Sequence, residues 1–191
     1  GHSSLDAGAA LSSDSLTRIG KLDAASALDS VIMTSTQSGD WAIEKIKDLV
    51  DSGTIKYIGK YRAPDYEALI ESDVDLAIES TMIYHSPQVK EAIEEIGVPV
   101  LVERSSYESD PLGRLEWIKL YGLLFGKEDE AEAFFDDAVS KARSVDTDSI
   151  EKAPSVAFFS VNSNGSVVVR KPGDYVTKMI ETAGGTYALD G

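Results

Sequence analysis

Residues 55–64 (IKYIGKYRAP), 74–87 (VDLAIESTMIYHSP) and 98–111 (VPVLVERSSYESDP) repeat one arrangement. A short apolar run is followed by a polar loop with aromatic and basic residues, then by a proline that opens an amphipathic segment. The runs have the length of buried strands. Proline suits a first helical turn, where its missing N–H leaves no bond unmade. Strand–helix alternation of this kind requires crossover connections and hence a parallel sheet. The three loops then leave the carboxyl ends of their strands, the edge at which open α/β sheets bind ligands. Tyr61, Arg62, Tyr84, His85, Arg104, Ser105, Ser106 and Tyr107 are thereby expected along one rim.

Outward from this stretch, a short helix is expected at 22–28, a strand at 31–35, and a helix at 40–51 with Asp40 as N-cap. Strands at 55–58, 74–78 and 98–102 alternate with helices at 64–72 and 87–96. Ser86 before Pro87 and Asp110 before Pro111 are cap-then-proline starts. Helical periodicity runs from Leu112 to Val145 with a break near Gly126. Ala131, Phe134, Phe135, Ala138, Val139 and Ala142 fall on one face of its second half. After a polar stretch, a strand at 155–161, an NSNG turn, the strand SVVVR and a helix at 173–183 are expected. Residues 5–20 are weakly patterned and show no clear opening strand. The fold class is α/β: a three-layer αβα lobe over residues 5–126, a connecting helix at 127–146, and the beginning of a second α/β lobe at 153–191.

The chain has 191 residues, a net charge of −15, 42% hydrophobic content and no cysteine. So acidic a balance opposes nucleic-acid phosphates and anionic membrane surfaces. Without cysteine there are no disulfides, thiolate metal sites or Cys nucleophiles. No apolar run approaches the ~20 residues of a membrane span. No signal peptide is recognisable, so an exported form is expected to be mature or trimmed.

The order YIGKYRAPDYEALIESDVDLAIES, GVPVLVE and PLGRLEWIKLYGLLFGKEDEAEAFF resembles the substrate-binding proteins of ABC importers, specifically class III, which carries ferric siderophores, haem and vitamin B12. The matching pieces are Gly59, Pro64 to Glu67, Asp75 to Ile78, Gly97 to Val100, Gly126 to Ala131 and Ala183 to Gly185. The resemblance implies two lobes joined by one stiff helix, here truncated in the second lobe. It implies an extracytoplasmic location, in the periplasm or on a lipid anchor, and an ABC permease as partner. Glu67 matches the family's exposed first-lobe glutamate that pairs with permease arginines. Its plain structural reading is an acid complementing a helix dipole.

The candidate ligand contacts are Tyr61, Arg62, Tyr84, His85, Arg104, Ser106, Tyr107 and Trp41. Arg62, Arg104 and Arg170, with Lys60, can neutralise an anionic ferric chelate or haem propionates. The tyrosines and Trp41 can stack on a planar ligand, although any one of them can equally be a packed loop aromatic. His85 is the only histidine beyond residues 1–4, and one histidine cannot build a bare-metal site. No metal site and no cofactor of its own are therefore expected, because a chelated metal arrives with its ligands.

An enzyme is not expected. Residues 122–127 (GLLFGK) lack the spacing and the Ser or Thr of a phosphate loop, and neither GxGxxG nor GxSxG occurs. Nucleophilic catalysis lacks its usual base. The expected function is extracytoplasmic capture of an iron chelate, siderophore or haem, for an ABC importer. The alternatives are a vitamin B12-binding protein of the same family, or a small flavodoxin-like or Rossmann-like enzyme.

Overall fold

The computed structural model describes residues 9–11, 21 and 23–189. By internal contacts the chain divides into Gly1–Arg104 with Ile118–Glu132, and Ser105–Trp117 with Ala133–Gly191.

The first unit is built on five parallel strands: β1 (Ala9–Leu11), β2 (Val31–Thr34), β3 (Lys56–Tyr57), β4 (Leu76–Ser80) and β5 (Val100–Glu103). Their order is β3-β2-β1-β4-β5. Strand order therefore reverses at β1, and the carboxyl ends beside such a reversal are where open α/β sheets bind ligands. Between the strands run α1 (Glu44–Asp51), α2 (Tyr66–Glu71) and α3 (Pro87–Glu95), while α4 (Pro111–Phe125) and α5 (Glu128–Arg143) follow β5.

Alternation along β4 separates two cores, as a period-2 strand must. Leu76 and Ile78 pack with Ile46 of α1 and with Tyr121 and Phe125 of α4. Ala77 packs on the other face with Ala68 and Leu69 of α2 and Val89 and Ile93 of α3. The αβα layering expected from the sequence is what the chain adopts. Each large side chain among these contributes about 1.5–3 kcal/mol by leaving water. At the junction of the last two helices, a Cβ on Gly122 would lie 2.6 Å from the Ala131 Cβ and 2.9 Å from the Lys127 carbonyl. Only glycine lets α4 and α5 meet this closely.

The starts of these helices follow local chemistry. Asp65 Oδ1 accepts the Ala68 N–H at 3.0 Å, and Asp110 Oδ1 accepts the N–H groups of Leu112 and Gly113. Pro87 and Pro111 are first helical residues, and Gly126 (φ 65°) separates α4 from α5.

The second unit holds β6 (Ser155–Val156) paired in parallel with β9 (Thr186–Tyr187), and an antiparallel hairpin of β7 (Phe159–Val161) and β8 (Val167–Val169). α6 (Tyr175–Thr182) is capped by Asp174, whose side chain accepts the Val176 N–H at 2.9 Å. The Tyr187 hydroxyl accepts the Arg170 N–H at 3.0 Å and donates to the Arg170 carbonyl, tying β9 to the end of the hairpin.

Four expectations need correction. An opening strand does exist: β1, only Ala9–Leu11, lies in the middle of the sheet, where backbone bonds on both sides compensate for its small side chains. The helix expected at 22–28 does not run that far, because Ser26 has φ 55° and Leu28–Ser30 forms a separate 3₁₀ turn; Leu22 is outside the described residues. Asp40 is not an N-cap, because Ser38–Asp40 is itself a 3₁₀ turn and α1 starts at Glu44. The run at 155–161 is two strands serving different sheets, with Ala157 and Phe158 between them.

Candidate ligand-binding rim

Because every strand of the first unit is parallel, the loops after β2, β3, β4 and β5 leave one edge of the sheet. Each is shaped by its own backbone. After β3, the Asp65 N–H returns to the Ile58 carbonyl at 2.8 Å and Ala63 N–H bonds Lys60. Gly59 makes this closure possible: its φ is +91°, and a Cβ there would stand 2.8 Å from the Ala63 carbonyl oxygen. The loop thereby projects Tyr61 and Arg62. Tyr61 is half-buried against the second core, and Arg62 Nε donates to its hydroxyl at 2.8 Å with the guanidinium 5.4 Å from the ring. The neighbouring Tyr66 hydroxyl is pushed above its ordinary value by burial, so it remains protonated at neutral pH.

After β4 the chain turns through the 3₁₀ segment Thr81–His85, started by Ser80 Oγ accepting the Met82 N–H at 3.2 Å. Ile83 is fully buried and anchors the turn. That anchoring leaves Tyr84 (55% exposed) and His85 facing solvent. Arg104 follows β5 directly and is exposed. Ser80 and Glu103 are register partners, so the Tyr84–His85 turn and Arg104 leave adjacent strands. The Tyr61–Arg62 loop does not adjoin them. Three strand spacings separate β3 from β4, about 14 Å, and four separate it from β5, about 19 Å.

Two of the remaining sequence candidates, Ser106 and Tyr107, are exposed residues of the second unit, on the 3₁₀ turn Ser105–Tyr107. Trp41 is not brought to the rim: it is 5% exposed within the first core, packed among Ile46, Ile55 and Phe125. Glu67 is exposed in the first turn of α2.

Sequence reasoning missed the charges beneath the rim. Glu103 ends β5 almost completely buried and pairs with Lys21 at 3.2 Å, the two side chains being 4% and 5% exposed. Glu79 and Ser80, at the end of β4, are also buried. Among the described residues no group of three His, Cys, Asp or Glu is placed to hold a metal ion, and no helix is long and apolar enough to cross a membrane.

A family model described as periplasmic binding protein matches residues 15–190. An uncharacterized lipoprotein of Methanocaldococcus jannaschii is 25% identical over 145 residues, covering 75% of this chain and 34% of that protein. The chain thus spans about a third of the curated relatives it matches, 34% of one and 30% of another. Among solved structures, the periplasmic haem-binding protein HutB of Vibrio cholerae aligns at a TM-score of 0.74 with 15% identity, over 96% of this chain and 66% of that one. The periplasmic catecholate-siderophore-binding protein VctP of the same organism aligns at 0.72 with 12% identity, over 97% and 62%. At such identities these two structures establish the shared fold.

Proposed function

The chain belongs to the periplasmic binding protein family and is thus an extracytoplasmic solute-binding protein, and from that premise we propose that it captures an iron chelate, a ferric siderophore or haem, and delivers it to an ABC permease. The observation that carries this reading is the spread of the rim. Tyr61 and Arg62 leave one side of the β1 reversal, and Tyr84, His85 and Arg104 leave the other. Loops that leave strands about 14–19 Å apart suit a ligand the size of a chelate, whose opposite ends they can grip, better than one bare ion, whose ligand bonds are about 2 Å. Arginine and tyrosine are the side chains that recognise anionic oxygens and flat ring systems. Glu67, exposed on α2, is the proposed contact for the permease.

A thermal-shift panel tests the reading: a ferric tris-catecholate, haem, cobalamin and nucleotides, each with the 191-residue chain. An iron chelate at a hundredfold excess over its Kd should raise the melting temperature by about 5–10 °C, with nucleotides giving no shift. A shift with nucleotides alone would turn the assignment to an enzyme. A shift with cobalamin alone would turn it to vitamin B12 transport.

A further inference from the structure

Asn162 and Asn164 are the only asparagines of the chain, and both lie in the loop that joins β7 to β8. Backbone bonds close this loop: the Gly165 N–H donates to the Asn162 carbonyl and the Asn162 N–H to the Ser166 carbonyl, each at 2.9 Å. Gly165 supplies the left-handed residue that the turn needs, with φ 82°. The Asn164 side-chain oxygen accepts the Ser166 N–H at 3.0 Å, which commits Oδ1 to the turn and leaves the Nδ2 amide outside that bond. Residues 162–166 are all exposed, and nothing lies within 4 Å of where a Cβ on Gly165 would stand. The tip is open to a large partner.

The turn accounts for Asn164 and Gly165, but not for the hydroxyl at 166. Ser166 joins the turn through its backbone N–H and carbonyl, and alanine would do the same. Asparagine, then any residue but proline, then serine or threonine is the acceptor pattern for an N-linked sugar on a surface loop of a secreted protein. The pattern occurs once in this chain, at Asn164-Gly165-Ser166, and the family places the chain outside the cytoplasm. We propose that Asn164 is an N-glycosylation site, receiving an oligosaccharide from a polyprenyl diphosphate donor through a membrane oligosaccharyltransferase. Nδ2 forms a bond to the anomeric carbon of the first sugar as the bond from that carbon to the diphosphate oxygen breaks. The polyprenyl diphosphate leaves with the electron pair, and the amide proton passes to a carboxylate of the transferase. The Ser166 hydroxyl, which can both donate and accept, is the group the transferase reads beside the amide. This inference rests on the extracytoplasmic location and is independent of the cargo.

The experiment directs the full 191-residue chain, behind an export leader, into vesicles that hold the transferase and a polyprenyl diphosphate oligosaccharide. Intact mass and peptide mapping are read beside an acceptor peptide that reports an active enzyme. Wild type should gain the mass of one glycan, on the peptide that contains Asn164. Asn164→Asp, which keeps an oxygen for the Ser166 N–H but lacks the amide nitrogen, should lose the glycan and melt as wild type does. Ser166→Ala, which keeps both backbone bonds, should do the same. Ser166→Thr and Asn162→Asp should stay glycosylated. A wild-type chain left unmodified while the peptide is glycosylated, a glycan on Asn162, or full modification of Ser166→Ala would overturn the assignment. Chelate capture stands or falls separately, by the thermal-shift panel.

Discussion

Glu103→Ala is expected to lower the unfolding free energy by about 1–3 kcal/mol, because it takes a charge-assisted partner from the buried Lys21 ammonium. The pair is 3.2 Å apart with side chains 5% and 4% exposed, so water cannot take the place of the missing carboxylate. Attraction within such a pair roughly offsets the cost of desolvating both ions, and removing one partner weakens that offset. The double variant Lys21→Met with Glu103→Leu, which removes both charges, is therefore expected to lie much closer to wild type. Urea unfolding followed by circular dichroism measures the two differences. A loss under 1 kcal/mol in the single variant would mean that the ion pair does not anchor the end of β5. The functional link is direct, since Arg104 is the next residue and its place on the rim depends on where Glu103 is held.

The double substitution Arg62→Gln with Arg104→Gln is expected to weaken an anionic ferric chelate about 100-fold. Each arginine offers charge-assisted contacts of a strength that changes affinity about 10-fold when lost. Their loops leave strands about 19 Å apart, so the two losses should add. Arg62 is steadied for this role by its 2.8 Å bond to the Tyr61 hydroxyl. Cobalamin, recognised through neutral and aromatic contacts, should be indifferent to the change. If cobalamin binds and the double variant retains full affinity for it while no ferric chelate binds, the iron assignment goes. Glu67→Lys makes the contrast: chelate affinity is expected to hold, while delivery to permease-containing vesicles drops.

The core of the first unit was legible because its signals are local. Apolar runs such as Leu76 to Ile78, the cap at Asp110, and the prolines at 87 and 111 each specify an element within a few residues. What stayed hidden depends on contacts remote in sequence. β1 is a three-residue strand of two alanines and a leucine, with almost no propensity of its own, and only pairing with β2 and β4 fixes it. The split of residues 155–161 follows from β6 joining β9 while β7 joins β8, partners that no periodicity names. At the rim, the loops and their exposed arginines and tyrosines could be read from the repeats. The Lys21–Glu103 pair, 82 residues apart, could not. Trp41 shows the opposite error: a loop aromatic suited to a ligand is also suited to a core, and here Ile46 and Phe125 claim it.

Amide hydrogen exchange of the chain with and without a ferric tris-catecholate bears most directly on the claim that the carboxyl edge of the first sheet receives the ligand. The expected result is slowed exchange concentrated in residues 59–63, 81–86 and 104, with the outer faces of α1 and α3 unchanged. Slowed exchange confined to the opposite, amino-terminal edge of the strands, or none anywhere under saturating chelate, would contradict it.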